Sequence, residues 1–250
     1  MKFLLVSDLH YTLKQFDWLC NVAGDFDLLV LAGDHLDISS TVEIDVQILV
    51  VLKYLRRLKA RVEVAACSGN HDLNTRSSDG EKIATWLAKA RPFGIPTDGD
   101  SFAVGDTMFT VCPWWDGPAA QTEVGRQLDR DSMKPKTSWV WIYHAPPDSS
   151  PVSWTGKRHF GDTKLNEWIE RYEPNLVLTG HIHQSPFRDG GSWIDRIGKT
   201  WVVNAGRQIG PVPTHIIFDT DEPTASWFSL AGTEVVNLDQ PLPPRSEISQ

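Results

Sequence analysis

Five times between residues 3 and 183 a short apolar run ends abruptly in histidine, aspartate or asparagine. Phe3–Val6 is followed by Asp8-Leu9-His10, and Leu28–Leu31 by Gly33-Asp34-His35-Leu36-Asp37. Val62–Ala66 leads to Gly69-Asn70-His71-Asp72, Trp139–Tyr143 to His144, and Leu176–Leu178 to Gly180-His181-Ile182-His183. Apolar runs of this length read as buried strands. Amphipathic stretches fall between them. Ile44, Ile48, Val51, Leu55 and Leu58 recur at helical spacing, with Thr41 or a nearby serine as a candidate cap and Arg61 just past the last turn. Ile83, Leu87 and Ala90 suggest a second helix, and Leu165, Trp168, Ile169 and Tyr172 a third, stopped by Pro174. In open α/β sheets, ligands gather beyond the carboxyl ends of the strands. The polar clusters are therefore expected at one sheet edge.

After residue 185 the pattern changes to strands separated by turns: Trp193–Ile197, Thr200–Asn204, His215–Asp219, Ala225–Leu230 and Glu234–Leu238. β/α units first and strands last point to α/β layers built on two packed sheets. No linker or repeat divides the chain, so residues 1–238 read as a single domain. Residues 239–250, with Pro241, Pro243 and Pro244, read as a loosely held tail.

Composition narrows the function classes. The formal charge of −8 repels polyanions, so a long nucleic acid is not an expected partner. Arg56, Arg57, Lys59 and Arg61 come closest to a basic patch, but they lie near a helix end, where cations complement the dipole. The three cysteines are widely spaced and form no CxxC, which suits a reducing compartment and argues against a disulfide framework or a thiolate zinc knot. The opening apolar run is too short for a signal-peptide core, and none approaches membrane-spanning length. A cytoplasmic protein with no membrane partner is expected; the sequence sets no oligomeric state.

Imidazole and carboxylate donors without thiolates suit Zn, Fe, Mn or Ni. Asp-x-His and His-x-His would put both side chains on one face of an extended segment, because side chains alternate along a strand. Glycine before Asp34, Asn70 and His181 would permit a tight turn off the strand.

Taken together, the five blocks resemble the calcineurin-like metallophosphoesterase superfamily, whose pattern is Asp-x-His, Gly-Asp-x-x-Asp, Gly-Asn-His-Asp/Glu, His, then Gly-His-x-His. The resemblance implies an α/β fold, a four-layer αββα sandwich of two mixed sheets with the metal site at the C-terminal ends of the strands. It implies two divalent or trivalent transition-metal ions, Mn, Fe or Zn. Asp8, His10 and His183 would hold the first, Asn70, His144 and His181 the second, and Asp34 would bridge them. Residual positive charge would then bind a phosphoryl group, and a hydroxide bridging the ions would attack phosphorus. His71 would serve as general acid or transition-state stabiliser, oriented by Asp37, although Asp37 could also cap the following helix.

The implied activity is hydrolysis of a small phosphomonoester or phosphodiester. The Asp-ended Gly-Asn-His-Asp also occurs in relatives acting on cyclic nucleotides, which favours a nucleotide-like substrate. Asp37 is followed by Ile38-Ser39 rather than the Arg-Gly of the protein-phosphatase branch. The alternatives are a non-catalytic protein-binding scaffold on the same fold and a nuclease of the same superfamily. Several residues stay open. His35 departs from the usual apolar residue and is expected to bond a backbone carbonyl. His159 is expected in solvent and His215 in the core. Trp114 and Trp115, paired on one loop, could wall a pocket and stack on a nucleobase or aryl leaving group, or plug a layer, and Trp154 has the same ambiguity. Arg207, in Asn204-Ala205-Gly206-Arg207, could bind phosphate or form a surface ion pair.

Overall fold

The computed structural model describes residues 1–244. In chain order the elements are β1 (Lys2–Val6), α1 (Leu13–Val22), β2 (Leu28–Ala32), α2 (Ile44–Lys59), β3 (Glu63–Cys67), the short β4 (Thr75–Arg76) and β5 (Lys82–Ile83), β6 (Ser101–Val104), β7 (Thr107–Val111) and α3 (Pro118–Ser132). There follow β8 (Ser138–Ile142), α4 (Thr163–Tyr172), β9 (Leu176–Thr179), β10 (Ile194–Ile197), β11 (Thr200–Asn204), β12 (His215–Asp219), β13 (Thr224–Ser229) and β14 (Gly232–Asn237).

Two six-stranded mixed sheets form the centre, ordered β14-β13-β12-β1-β2-β3 and β10-β11-β9-β8-β7-β6. The period-two alternation of the apolar runs sorts their side chains into three cores. Phe3, Leu5, Leu28 and Val30 face the other sheet and meet Phe109, Val111, Val140, Ile142 and Leu178. Leu4, Val6, Leu29 and Leu31 face outward against Phe16 and Leu19 of α1 and Ile48, Val51 and Leu55 of α2. On the far side, Trp139, Trp141 and Val177 pack against Val124 and Leu128 of α3 and Leu165, Trp168 and Ile169 of α4. The result is helix, sheet, sheet, helix, as the resemblance implies. Strands buried on both faces must be apolar throughout, and all five residues of β2 are buried.

Parallel pairing sets where the polar clusters land. β1 runs parallel to β2 and β2 to β3, while β7, β8, β9 and β11 are mutually parallel neighbours. Within each sheet, the strands that precede the clusters therefore end at the same edge.

Two local expectations are corrected. Ile83, Leu87 and Ala90 do not share an α-helix: Lys82 and Ile83 pair as β5 with Thr75 and Arg76, and only a 3₁₀ turn, Leu87–Phe93, follows. Pro92 and the left-handed Gly94 end it. Thr41 caps nothing, since α2 begins at Ile44 with Glu43 at its N-cap and no side-chain cap bond. Of the expected tail, residues 239–244 are irregular, with Leu242 packed against the inter-sheet core; residues 245–250 lie outside the described residues.

Candidate metal centre

The loops leaving β1, β2, β3, β8 and β9 are tied to one another before any ion is considered. Asp8 N–H donates to the Gly33 carbonyl at 3.1 Å and His10 N–H to the Asp34 carbonyl at 2.9 Å. His181 N–H donates to the Asp8 carboxylate at 3.1 Å, and His71 N–H to Asp34 Oδ1 at 2.8 Å. The ligand spacing works differently from the extended-segment expectation. Asp8 (φ 56°), His10 (φ 41°), Asp34 (φ 54°) and His181 (φ 68°) all sit in the left-handed region. Convergence comes from sharply turned backbone, a conformation that costs non-glycine residues energy and concentrates at functional sites.

Two of the glycines serve a purpose other than turning. Gly69 is extended (φ −110°), yet a Cβ there would lie 2.2 Å from Asp34 Oδ1. A Cβ on Gly180 would lie 2.5 Å from Asp8 Oδ2. Gly69 makes room for the Asp34 carboxylate and main chain, and Gly180 for the Asp8 carboxylate and Ser7. Gly33, at φ 85°, does supply the expected turn.

The side chains form two groups that share one residue. Ligand atoms of Asp8, His10, Asp34 and His183 lie within 4.8 Å of one another, and so do those of Asp34, His144 and His181. His10 Nε2 faces His183 Nε2 at 3.0 Å, and His183 Nε2 faces Asp8 Oδ1 at 3.1 Å. Asp34 Oδ2 lies 3.6 Å from His10 Nε2 and 3.2 Å from His144 Nε2. His144 Nδ1–H donates to the Ala32 carbonyl at 2.7 Å, which aims Nε2 into the cluster. That Nε2 and Asn70 Oδ1 are buried and have no hydrogen-bond partner. Orphaned buried polar atoms among converging imidazoles and carboxylates fit a pair of cations.

The electrostatics agree. Burial works to raise the Asp8 and Asp34 carboxyls, but the surrounding imidazoles, His144 foremost, outweigh it and hold both below the usual carboxylate range. Burial pushes His10 and His181 down to about 4, so both are neutral donors at physiological pH. For His144, burial is outweighed by Asp34 and Asp8, which lift it to about 9.

His71 stands at the rim, its ring edge-on to His10 at 4.5 Å, with Nδ1 buried and unpartnered. Asp37 shares a third cluster with His10 and His71. Its Oδ1 accepts from Ser39 N–H at 2.9 Å, a local turn rather than a helix cap. Arg207 faces the cluster closely enough for its charge to lower His10. Trp114 packs on His181 at 5.1 Å and His144 at 5.7 Å, whereas Trp115 stacks on Tyr143. Trp154 and His159 pair with each other and belong to none of the clusters. His215 is buried, donating to the Pro213 carbonyl at 2.9 Å.

His35 departs from its sequence expectation. It is buried, and its Nδ1 meets Asp72 Oδ2 at 2.9 Å rather than a carbonyl. Asp72 also accepts from His35 N–H, Leu36 N–H and Gly69 N–H, locking the loops that carry Asp34 and Asn70. The two residues are 37 apart, so no local spacing announces the pair. A cavity of about 640 Å³, lined by residues that include Ser101, Lys134 and Lys136, contains none of the cluster residues.

The sequence model of the calcineurin-like phosphoesterase family matches residues 1–185, which contain every residue of the cluster. The chain belongs to that family. Among solved structures, the protein TT1561 of Thermus thermophilus has the same fold at a TM-score of 0.59, with 16% identity over 95% of this chain and 98% of that one. Purple acid phosphatase PPD1 from yellow lupin (Lupinus luteus) seeds shares it at a TM-score of 0.53 and 11% identity, over 96% of this chain and 52% of that one. No curated protein matches the sequence significantly. Family membership supports metal-dependent hydrolysis of phosphoesters. No helix among the described residues is long and apolar enough to cross a membrane.

Proposed function

We propose that the chain is a binuclear metal-dependent phosphoesterase acting on a small phosphomonoester or phosphodiester, with a nucleotide-like diester favoured. The observation that carries the reading is the sharing of Asp34 between two clusters of ligand atoms, each within 4.8 Å. Asp8, His10 and His183 would hold one ion, Asn70, His144 and His181 the other, and Asp34 would bridge. The donor set suits Mn, Fe or Zn. When bound, such ions supply Lewis-acid activation of water and polarisation of phosphoryl oxygens.

The remaining work falls to the protein. Main-chain bonds between the loops hold the ligands in place without reorganisation. His71, at the rim with an unpartnered Nδ1, gives a proton to the departing alkoxide. Asp37, within 4.8 Å of His71, orients it. Arg207 adds positive charge for the phosphate. Residues 1–238 act as one domain. Cys20, Cys67 and Cys112 are buried and unpaired, which suits a cytoplasmic enzyme.

Hydrolysis of bis(p-nitrophenyl) phosphate by Mn-loaded protein tests the reading. A complete ligand set favours catalysis over a protein-binding scaffold. Failure to turn over this diester or p-nitrophenyl phosphate with any of Mn, Fe, Zn, Ni or Co would decide for the scaffold.

A further inference from the structure

A cavity of about 260 Å³ adjoins the metal centre at His181, walled by Trp114, Trp115, Tyr143 and Phe160. Its position is specific. A nitrogen of His181 belongs to the cluster with Asp34 and His144, while its ring meets Trp114 at 5.1 Å and Phe160 at 5.8 Å. The walls are built in advance. Trp115 lies flat on Tyr143 at 4.1 Å and 5°, and meets Trp168 edge-on at 5.1 Å. Tyr143 is buried, and its hydroxyl donates to Asp162 at 3.1 Å. Asp162 is fixed in turn at the start of α4, accepting from Lys164 N–H at 2.8 Å and Leu165 N–H at 3.2 Å.

Phe160, by contrast, is 51% exposed, an aromatic ring held near-parallel to a ligand histidine (27°) rather than packed into the core. No lysine or arginine lines the cavity, and the Arg158 guanidinium lies over the Phe160 ring at 5.5 Å. Aromatic faces with Asp162 and Thr163 at the edge suit a flat, uncharged ring that carries hydrogen-bonding groups on its perimeter. We propose that this slot binds the nucleobase of a nucleotide ester whose phosphoryl group lies at the metal centre. The proposal rests on the hydrolase reading for the phosphoryl end only, and the volume suits one base rather than an oligonucleotide.

The test is binding of adenosine 5′-monophosphate, ribose 5-phosphate and inorganic phosphate to Mn-loaded protein, measured by calorimetry, alongside turnover of a ring-free phosphate ester. Base stacking should make the nucleotide bind about tenfold or more tightly than ribose 5-phosphate. That ratio should collapse towards unity in Phe160→Ala and in Trp114→Ala, and persist in Phe160→Tyr. Equal affinities for the nucleotide and ribose 5-phosphate in the wild type would overturn the slot, as would a ratio untouched by both alanine substitutions. If the ratio holds but no ester is hydrolysed, the slot stands and the hydrolase reading falls. If ring-free esters turn over while the ratio is unity, the reverse follows.

Discussion

The carboxylate of Asp34 accepts from His71 N–H at 2.8 Å and faces imidazoles of both clusters, His10 at 3.6 Å and His144 at 3.2 Å. Asp34→Ala should therefore empty the whole centre rather than half of it. Elemental analysis of the purified variant should find little of either ion; near-full content would refute the bridging role. His71→Ala removes a proton donor but no ligand, so metal content should hold while turnover falls about 10²–10⁴-fold. Unchanged turnover would remove His71 from the mechanism. Gly69→Ala separates crowding from backbone strain. Its extended φ of −110° accepts alanine, but the new methyl would sit 2.2 Å from Asp34 Oδ1 and 2.6 Å from the Asp34 main-chain nitrogen. The variant should lose metal; full occupancy would show that the loop carrying Asp34 can shift as a whole. At this scale the sequence is informative because each ligand directly follows a recognisable strand. Its error lies in the backbone: alternation along an extended chain cannot anticipate φ of 56° at Asp8 or 41° at His10.

Between elements, the contact that organises the centre is one that sequence spacing hides. Asp72 collects bonds from Gly69 N–H, His35 N–H, Leu36 N–H and the His35 ring, joining the loop after β2 to the loop after β3. Asp72→Asn would place an amide N–H₂ where a carboxylate oxygen accepts, leaving buried donors facing one another. Because these loops carry Asp34 and Asn70, the expected loss is about 10–100-fold in metal affinity, read by competition with a chromophoric chelator. Wild-type affinity in this variant would reduce the pair to simple packing. A long-range partner also explains why α3 is hard to read in the sequence. α3 shows no local side-chain cap because Glu81, from the β4–β5 hairpin, accepts from Ala119 N–H at 2.7 Å and Ala120 N–H at 2.8 Å. Its inward face includes Gln127 and Asp131, which breaks the apolar stripe. α1 likewise lacks a side-chain cap, an acidic first turn and a basic last turn. The legible helices, α2 and α4, carry a regular stripe of buried apolar residues.

The whole molecule packs two sheets face to face and gathers ionisable groups at one edge, so its stability should record how those groups are buried. Asp98 is the clearest reporter outside the ligand set. Its Oδ1 accepts from Ser68 N–H at 2.8 Å, behind the loop that carries Asn70. Burial pushes its carboxyl up to about 6 from an ordinary 3.8, against the pull of the Ser68 bonds. Because the folded chain holds this proton more tightly than the unfolded chain, the group's contribution is fully favourable below about pH 4. It is lost as pH rises to about 6 and stays lost above. The full shift corresponds to about 3 kcal/mol, and the strip of surface that Asp98 still shows to solvent trims this to about 1–3 kcal/mol. Asp8 and Asp34 have the opposite sign, since their lowered carboxyls lend stability that disappears as pH falls, so the wild-type profile alone mixes the two. Asp98→Asn isolates the contribution: the amide oxygen can still accept from Ser68 N–H, and nothing ionises. In urea unfolding of chelator-treated protein, the variant should match the wild type near pH 4 and exceed it by about 1–3 kcal/mol at pH 8, with the difference growing between pH 4 and 6. A difference that is constant across that range would mean that Asp98 is as well solvated folded as unfolded, and that the β3 loop is more open than its hydrogen bonds require.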